Sequence, residues 1–355
     1  MAMDSSGGDP IFDVIIVGAG PGGLSCAKHL SGSGLRVLVL EKSPDLGKKI
    51  CSGEISSKMF PGKDPTELFD GAQEWRTVVV GTRKGISSVE YDRPFLWTVG
   101  RYELENYLKS GCDGNTEIRF SEPVTAITQE YLETTKGRYR YRRLVGADGS
   151  FSKVREYLKL PSEHVVGYAF HYVLDRPAKE FRVYWLPHIF PRGYGYVMSK
   201  GRGATMVGGA MAGKDVLHKD LAPRVRNWVR KEFSFDVSKA KSEAFKGNAD
   251  YRGWRFGNVF LVGDAAGLLN PVTTEGIYYA VTSGKAVARH IRGDGESERI
   301  MGKLEATHRA QVFLFDIFTD PKLPFRWFVN WVLSDPRKGI RRKIFDLVFW
   351  RFMDH

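Results

Sequence analysis

The chain has 355 residues, 42% of them hydrophobic, and 53 lysines and arginines against 41 acidic residues give a formal charge of +12. That length exceeds what one hydrophobic core usually spans, so two lobes are expected. No uninterrupted run of about 20 apolar residues argues for a membrane-crossing helix. Three dispersed cysteines, Cys26, Cys51 and Cys112, speak against a disulfide framework, a zinc cluster and a four-cysteine iron–sulfur centre, and for a reducing, cytoplasmic setting.

Residues Met1 to Pro10 lack an apolar signal-peptide core and read as a disordered leader. Phe12 and Val14 to Val17 are nearly continuously apolar, the pattern of a parallel strand covered on both faces. Gly18, Gly20 and Gly23 follow in G-x-G-x-x-G spacing. Such glycines permit the tight turn, the approach of backbone to a pyrophosphate, and close packing of strand and helix. A helix is expected from Leu24 to Leu30, its free N–H groups directed at the phosphates. A second strand, Val37 to Leu40, ends in Glu41, near the offset at which an acid bonds an adenosine ribose. Strand, glycines, helix, strand and acid together predict a dinucleotide site.

Arg143 to Ser150 and Asn258 to Gly267 repeat the strand-then-glycine theme, the second running into a helix expected from about Glu275 to Ile291. Each places polar groups at the carboxyl end of a parallel strand, where ligands bind in open α/β sheets. Between them, Tyr168–Val173, Phe181–Trp185, Gly193–Val197 and Ala204–Gly208 read as strands, and Asp220–Phe233 as an amphipathic helix. The expected fold is α/β. A Rossmann-like dinucleotide domain (11–60, 95–160 and 250–295) carries an inserted antiparallel β-sheet substrate domain (61–94 and 161–249). A helical, basic and aromatic segment (296–355) ends the chain.

From Lys322 to the end, eight basic residues stand against three acidic ones, with Phe325, Trp327, Phe328, Trp331, Phe345, Phe349, Trp350 and Phe352 among them. One reading is a peripheral, interfacial membrane segment. The other is that the aromatics close the protein core or a dimer interface. Nucleic acid is not expected, since no recognition motif accompanies the charge.

With these stretches in view, the chain resembles the geranylgeranyl reductase family, within the hydroxybenzoate-hydroxylase-type flavoproteins. The N-terminal glycines with Glu41 resemble that class's FAD adenosine site. Gly146-Ala147-Asp148-Gly149-Ser150 resembles its Asp-Gly motif, Gly263-Asp264-Ala265-Ala266-Gly267 its Gly-Asp motif, and Arg101 the arginine near the FAD phosphates. Lys48 to Glu54 resembles the Lys-x-Cys-Gly-Gly stretch of prenyl reductases, with Ser52 in place of a glycine. Phe190 to Tyr196 resembles their Pro-x-Gly-Tyr-x-Trp stretch, with Tyr196 in place of the tryptophan. The resemblance implies FAD contacts at Gly18, Gly20, Pro21, Gly22, Gly23, Glu41, Lys42, Cys51, Arg101, Asp148, Gly149, Gly263, Asp264, Gly276 and Ile277.

It also implies an oxidoreductase that saturates isolated double bonds of a geranylgeranyl chain on a lipid, a diphosphate or a quinone, by hydride transfer from reduced FAD. The alternative is an FAD-dependent aromatic monooxygenase of the same class. FAD carries the redox step while the protein supplies binding, orientation and electrostatics. Pro271 to Ile277 would place a helix N-terminus at the flavin and stabilise negative charge on its reduced form. A plain helix cap by Thr273 or Thr274 is compatible with that. An unpolarised alkene needs a proton as well as a hydride, and Cys51, Tyr194 and Glu275 are the candidate catalytic groups, with Tyr196 beside them. His171 and His188 read as structural histidines. No second glycine motif with a βαβ unit is visible for a nicotinamide, so ferredoxin or a transiently docked NAD(P)H is the expected electron donor.

Overall fold

The computed structural model describes residues 9–161, 166–201, 203–213, 218–233, 237–320 and 325–353. Its first sheet is built around the strand Ile11–Val17, whose Val14, Ile15 and Ile16 are completely buried. Four neighbours run parallel in the order Thr116–Arg119, Val37–Leu40, Ile11–Val17, Arg138–Gly146 and Val259–Leu261. Arg255–Phe256 pairs antiparallel at the edge. The helix Pro21–Leu30 packs on one face against the helix Ile277–Ile291. The glycine loop, the Asp-Gly turn and the Gly-Asp turn therefore leave the carboxyl ends of three adjacent parallel strands and converge on one crevice.

The second sheet has seven strands in the order Lys241–Asn248, Val166–Leu174, Ala204–Ala212, Gly193–Lys200, Phe181–Tyr184, Thr77–Thr82 and Gly85–Glu90. The expected antiparallel sheet is present with one departure, because Phe181–Tyr184 and Thr77–Thr82 pair in parallel. These two strands come from segments about 100 residues apart, and a parallel pair needs such a long crossover. The helix His218–Phe233 covers one face through Leu221, Val225, Trp228 and Val229. The other face presents Ala169, Tyr196, Met198 and Met206, and there the C-terminal helices also pack through Val332 and Phe345.

The aromatic tail thus serves the core in part. Phe328, Trp331 and Ile344 join the cluster of Trp75, Val78 and Phe181, and Arg342 pairs with Asp346 at 2.7 Å. Trp327, Ile340 and Leu347 remain exposed, and Lys343 shares the open side of the helix Gly339–Met353 with the last two. Lys322 lies outside the described residues, as does any account of the side chains of Phe349, Trp350 and Phe352. Among the described residues, no helix is long and apolar enough to cross a membrane, and no group of three or more His, Cys, Asp or Glu could hold a metal ion.

Candidate functional site

A cleft of about 580 Å³ runs from Glu41 past the glycine loop to the sheet residues Tyr194, Tyr196 and Met206. At its near end the Glu41 carboxylate accepts the Ala19 and Ser43 amides, each at 2.8 Å, which ties the second strand to the glycine turn. Lys42 stands exposed on the rim. Gly18 has φ +104°, which excludes most side chains, and a Cβ on Gly23 would overlap the Gly18 carbonyl oxygen. Gly20 differs. A Cβ there would meet nothing nearer than Arg101 Nη2 at 3.6 Å, so the protein's own packing does not require a glycine at this position. Pro21 and Gly22, both buried, complete the first turn, and no side chain caps the helix that they begin.

Midway, Arg101 lies beside Gly20, held by Glu105 at 2.6 Å and hydrogen-bonded to Cys51. Cys51 also accepts the Gly53 amide at 3.4 Å. Asp264 accepts from Lys49 and from the Ser150 hydroxyl, each at 3.1 Å, at the turn opened by Gly263. Asp148 is turned toward its own helix, accepting the Lys153 amide at 2.6 Å and the Val154 amide at 3.3 Å, with Gly149 beside it on the cleft wall.

At the far end the helix begins at Ile277, two residues later than expected, which leaves Glu275 in the preceding loop. Its N-cap is Gly276, with no side-chain cap bond, so neither Thr273 nor Thr274 caps the helix. The reason is local: Thr274 takes the left-handed conformation, φ +58°, and its hydroxyl bonds the Thr273 carbonyl. Tyr194 reaches across from the second sheet to donate to the same carbonyl at 2.7 Å, with Thr274 Oγ1 at 2.9 Å. Burial raises the Tyr194 phenol above its usual range, and it raises the Glu275 carboxyl too, opposed by Lys58.

Two groups at this end were not expected from the sequence. Glu54 lines the cleft with Oε1 buried and without a hydrogen-bond partner. Burial pushes its carboxyl up to about 8, against a hydrogen bond with Ser52 and aided by the nearby Glu275 charge. His171 forms a row with its cross-strand neighbours. Its Nδ1 is 3.0 Å from the Tyr196 hydroxyl, across Gly208, and its Nε2 is 3.2 Å from Glu243. Burial keeps the ring neutral, while the bond from His171, followed by those from Lys200 and Lys241, holds Glu243 well below the usual carboxylate range. His171 is thus satisfied on both nitrogens, as a structural histidine should be, yet it also lines the cleft.

This geometry fits FAD. Two helix N-termini without side-chain caps face one elongated crevice, as anion sites require. Gly20 opens onto cleft space that the protein's own side chains do not fill, and an acid stands at one end with an apolar wall at the other. A model described as an FAD binding domain matches residues 88–302, more than half of the sequence. The chain belongs to the FAD-binding domain family. A second model, an NAD(P)-binding Rossmann-like domain, matches residues 16–75. A digeranylgeranylglycerophospholipid reductase of Methanosphaerula palustris is 27% identical over 316 residues, covering 78% of this chain and 75% of that protein. A geranylgeranyl bacteriochlorophyll reductase-like protein of Thermoplasma acidophilum superposes with a TM-score of 0.67 at 18% identity, covering 96% of this chain and 92% of that one. The p-nitrophenol 4-monooxygenase of Pseudomonas putida gives 0.69 at 18% identity, covering 97% and 98%. The resemblance to the geranylgeranyl reductase family is borne out, FAD is the cofactor, and the chain is an FAD-dependent oxidoreductase.

Proposed function

We propose that this oxidoreductase saturates isolated double bonds of a geranylgeranyl chain carried by a lipid, a diphosphate or a quinone. The observation that carries the reading is the junction of two surfaces. The crevice bearing the FAD motifs opens directly onto the Ala169, Met198 and Met206 face of the second sheet, in a chain with a digeranylgeranylglycerophospholipid reductase among its relatives. FAD, when reduced, supplies hydride. The glycine loop and Arg101 hold the pyrophosphate, Glu41 the ribose and Asp264 the ribityl chain. The amides of Gly276 and Ile277 stabilise negative charge at the ring end. Tyr194 fixes the loop that carries Glu275, and Cys51 shapes the wall next to Arg101. Residues 61–94 and 161–249 serve as the substrate lobe.

Ferredoxin or NAD(P)H supplies the electrons. The exposed Trp327, Ile340 and Leu347, with Lys343 between the latter two, make a peripheral contact with an anionic bilayer. They belong to helices that pack on the same sheet face as the cleft's apolar wall, so a prenyl chain enters without crossing open water. The monooxygenase reading rests on the shared fold alone. Lipid extracts of a host that makes geranylgeranyl lipids separate the two. Expression of the chain should add two hydrogens per reduced bond, whereas oxygen consumption with a hydroxylated aromatic product would replace the reductase by the monooxygenase.

A further inference from the structure

The far end of the cleft contains a carboxyl group to which the motifs assign no task. Glu54 begins the two-residue strand Glu54–Ile55, directly after the Cys51 turn, and three separate parts of the chain converge on it. Ser52 bonds it from its own segment. Glu275, from the loop before the helix Ile277–Ile291, and Tyr194 and Tyr196, from the second sheet, line the same end of the cleft. Lys58 faces Glu275 and stacks over the Tyr278 ring at 4.5 Å. One oxygen, Oε1, is buried with no partner. An orphaned carboxyl oxygen is costly in a protein interior, and a bound water or ion, a strain reservoir or a catalytic role accounts for one. Tyr194, another acid of this corner, already donates its proton to the Thr273 carbonyl.

We propose that Glu54 is the acid that delivers a proton into the far end of the cleft. The inference rests on the reductase reading and names the second half of that reaction. One alkene carbon takes hydride from reduced FAD, which is thereby oxidised by two electrons. The Glu54 O–H bond breaks as a C–H bond forms at the other carbon. The carboxylate left behind regains a proton from solvent.

Such an acid must be protonated at working pH, and burial beside Glu275 provides for that below about pH 8. Infrared difference spectra of the flavin-loaded, substrate-free protein test this directly. A protonated-carboxyl band should be present at neutral pH, titrate near 8, and vanish in Glu54→Gln. Anaerobic single turnover of the dithionite-reduced protein with geranylgeranyl diphosphate tests the step itself. Glu54→Gln should slow it by about 10²- to 10⁴-fold, the usual contribution of a positioned acid, with flavin content and thermal stability retained. Glu54→Asp should recover part of the rate, and the wild-type rate should fall as pH rises through about 8. A missing band, or full turnover by Glu54→Gln, overturns Glu54 as the acid while leaving the reductase intact. A wild type that saturates no isoprenoid overturns the reductase reading and this step with it.

Discussion

Gly20→Ala separates binding from folding. Gly20 has φ −74° and ψ −179°, extended backbone open to any residue, and a Cβ there touches only Arg101 Nη2, at an ordinary contact distance of 3.6 Å. Removing a glycine lowers unfolded-state entropy by about 0.4–1 kcal/mol. Alanine is a poorer N-cap by a comparable amount. The apoprotein should therefore stay within about 1 kcal/mol of wild type, a change of melting temperature of about 4 °C or less. Flavin binding has no such compensation. The methyl group fills the space through which backbone amides reach the pyrophosphate, and losing one or two charge-assisted bonds costs about 3 kcal/mol, or roughly 100-fold in affinity. Thermal unfolding of the apoprotein and fluorescence titration with FAD measure the two quantities separately. Gly23→Ala is the contrast, because its Cβ would overlap the Gly18 carbonyl oxygen and should cost the fold itself. A Gly20→Ala protein that binds FAD like wild type, or that unfolds like Gly23→Ala, would refute the reasoning.

Other outcomes follow from the same geometry. Asp264→Ala should weaken FAD at least tenfold while costing the apoprotein about 1–3 kcal/mol, since Asp264 is 7% exposed and accepts from both Lys49 and the buried Ser150 hydroxyl; Glu298→Ala, at an exposed pair, should leave FAD affinity unchanged. His308 is 2% exposed, and burial lowers its pKa from 6.5 to about 4 against a bond to the Leu269 carbonyl. The neutral ring is favoured in the fold, so its contribution is present above pH 6.5 and is lost as pH falls through 4. At about 1.4 kcal/mol per pH unit that makes about 3 kcal/mol, and urea titrations of His308→Gln should show a correspondingly flatter acid limb. Trp327→Ala with Lys343→Glu should reduce co-sedimentation with anionic vesicles while leaving flavin content intact; unchanged sedimentation would remove the membrane contact. Arg342→Glu is a stability probe instead, because Arg342 pairs with Asp346 and lies over the Tyr91 ring.

The near end of the site was legible in the sequence because its determinants are local. Gly18, Gly20 and Gly23 sit within six residues of one another, and a strand ending in Glu41 needs no tertiary information to be recognised. The convergence of Asp148 and Asp264 on the same crevice followed from their places at strand carboxyl ends. The far end was not legible in this way. Glu54 is one more charged loop residue until the fold brings Glu275, more than 200 positions later, beside it. His171 meets Tyr196 and Glu243 only through the register of four strands. Thr274 carries the residue type of a helix cap, but its bonds to Thr273 and Tyr194 hold it in another conformation. The tail divided between two readings for a similar reason. Composition counts its aromatics, whereas packing against Trp75 and Phe181 decides that Phe345 is core and Trp327 is not.

An anaerobic single turnover tests the prenyl reductase activity directly. The purified protein, loaded with FAD and reduced by dithionite, is mixed with a geranylgeranyl lipid while flavin absorbance and product mass are followed together. Flavin should reoxidise without oxygen, and each equivalent should yield one saturated double bond. Flavin that stays reduced until oxygen is admitted, with the lipid unchanged, would contradict it.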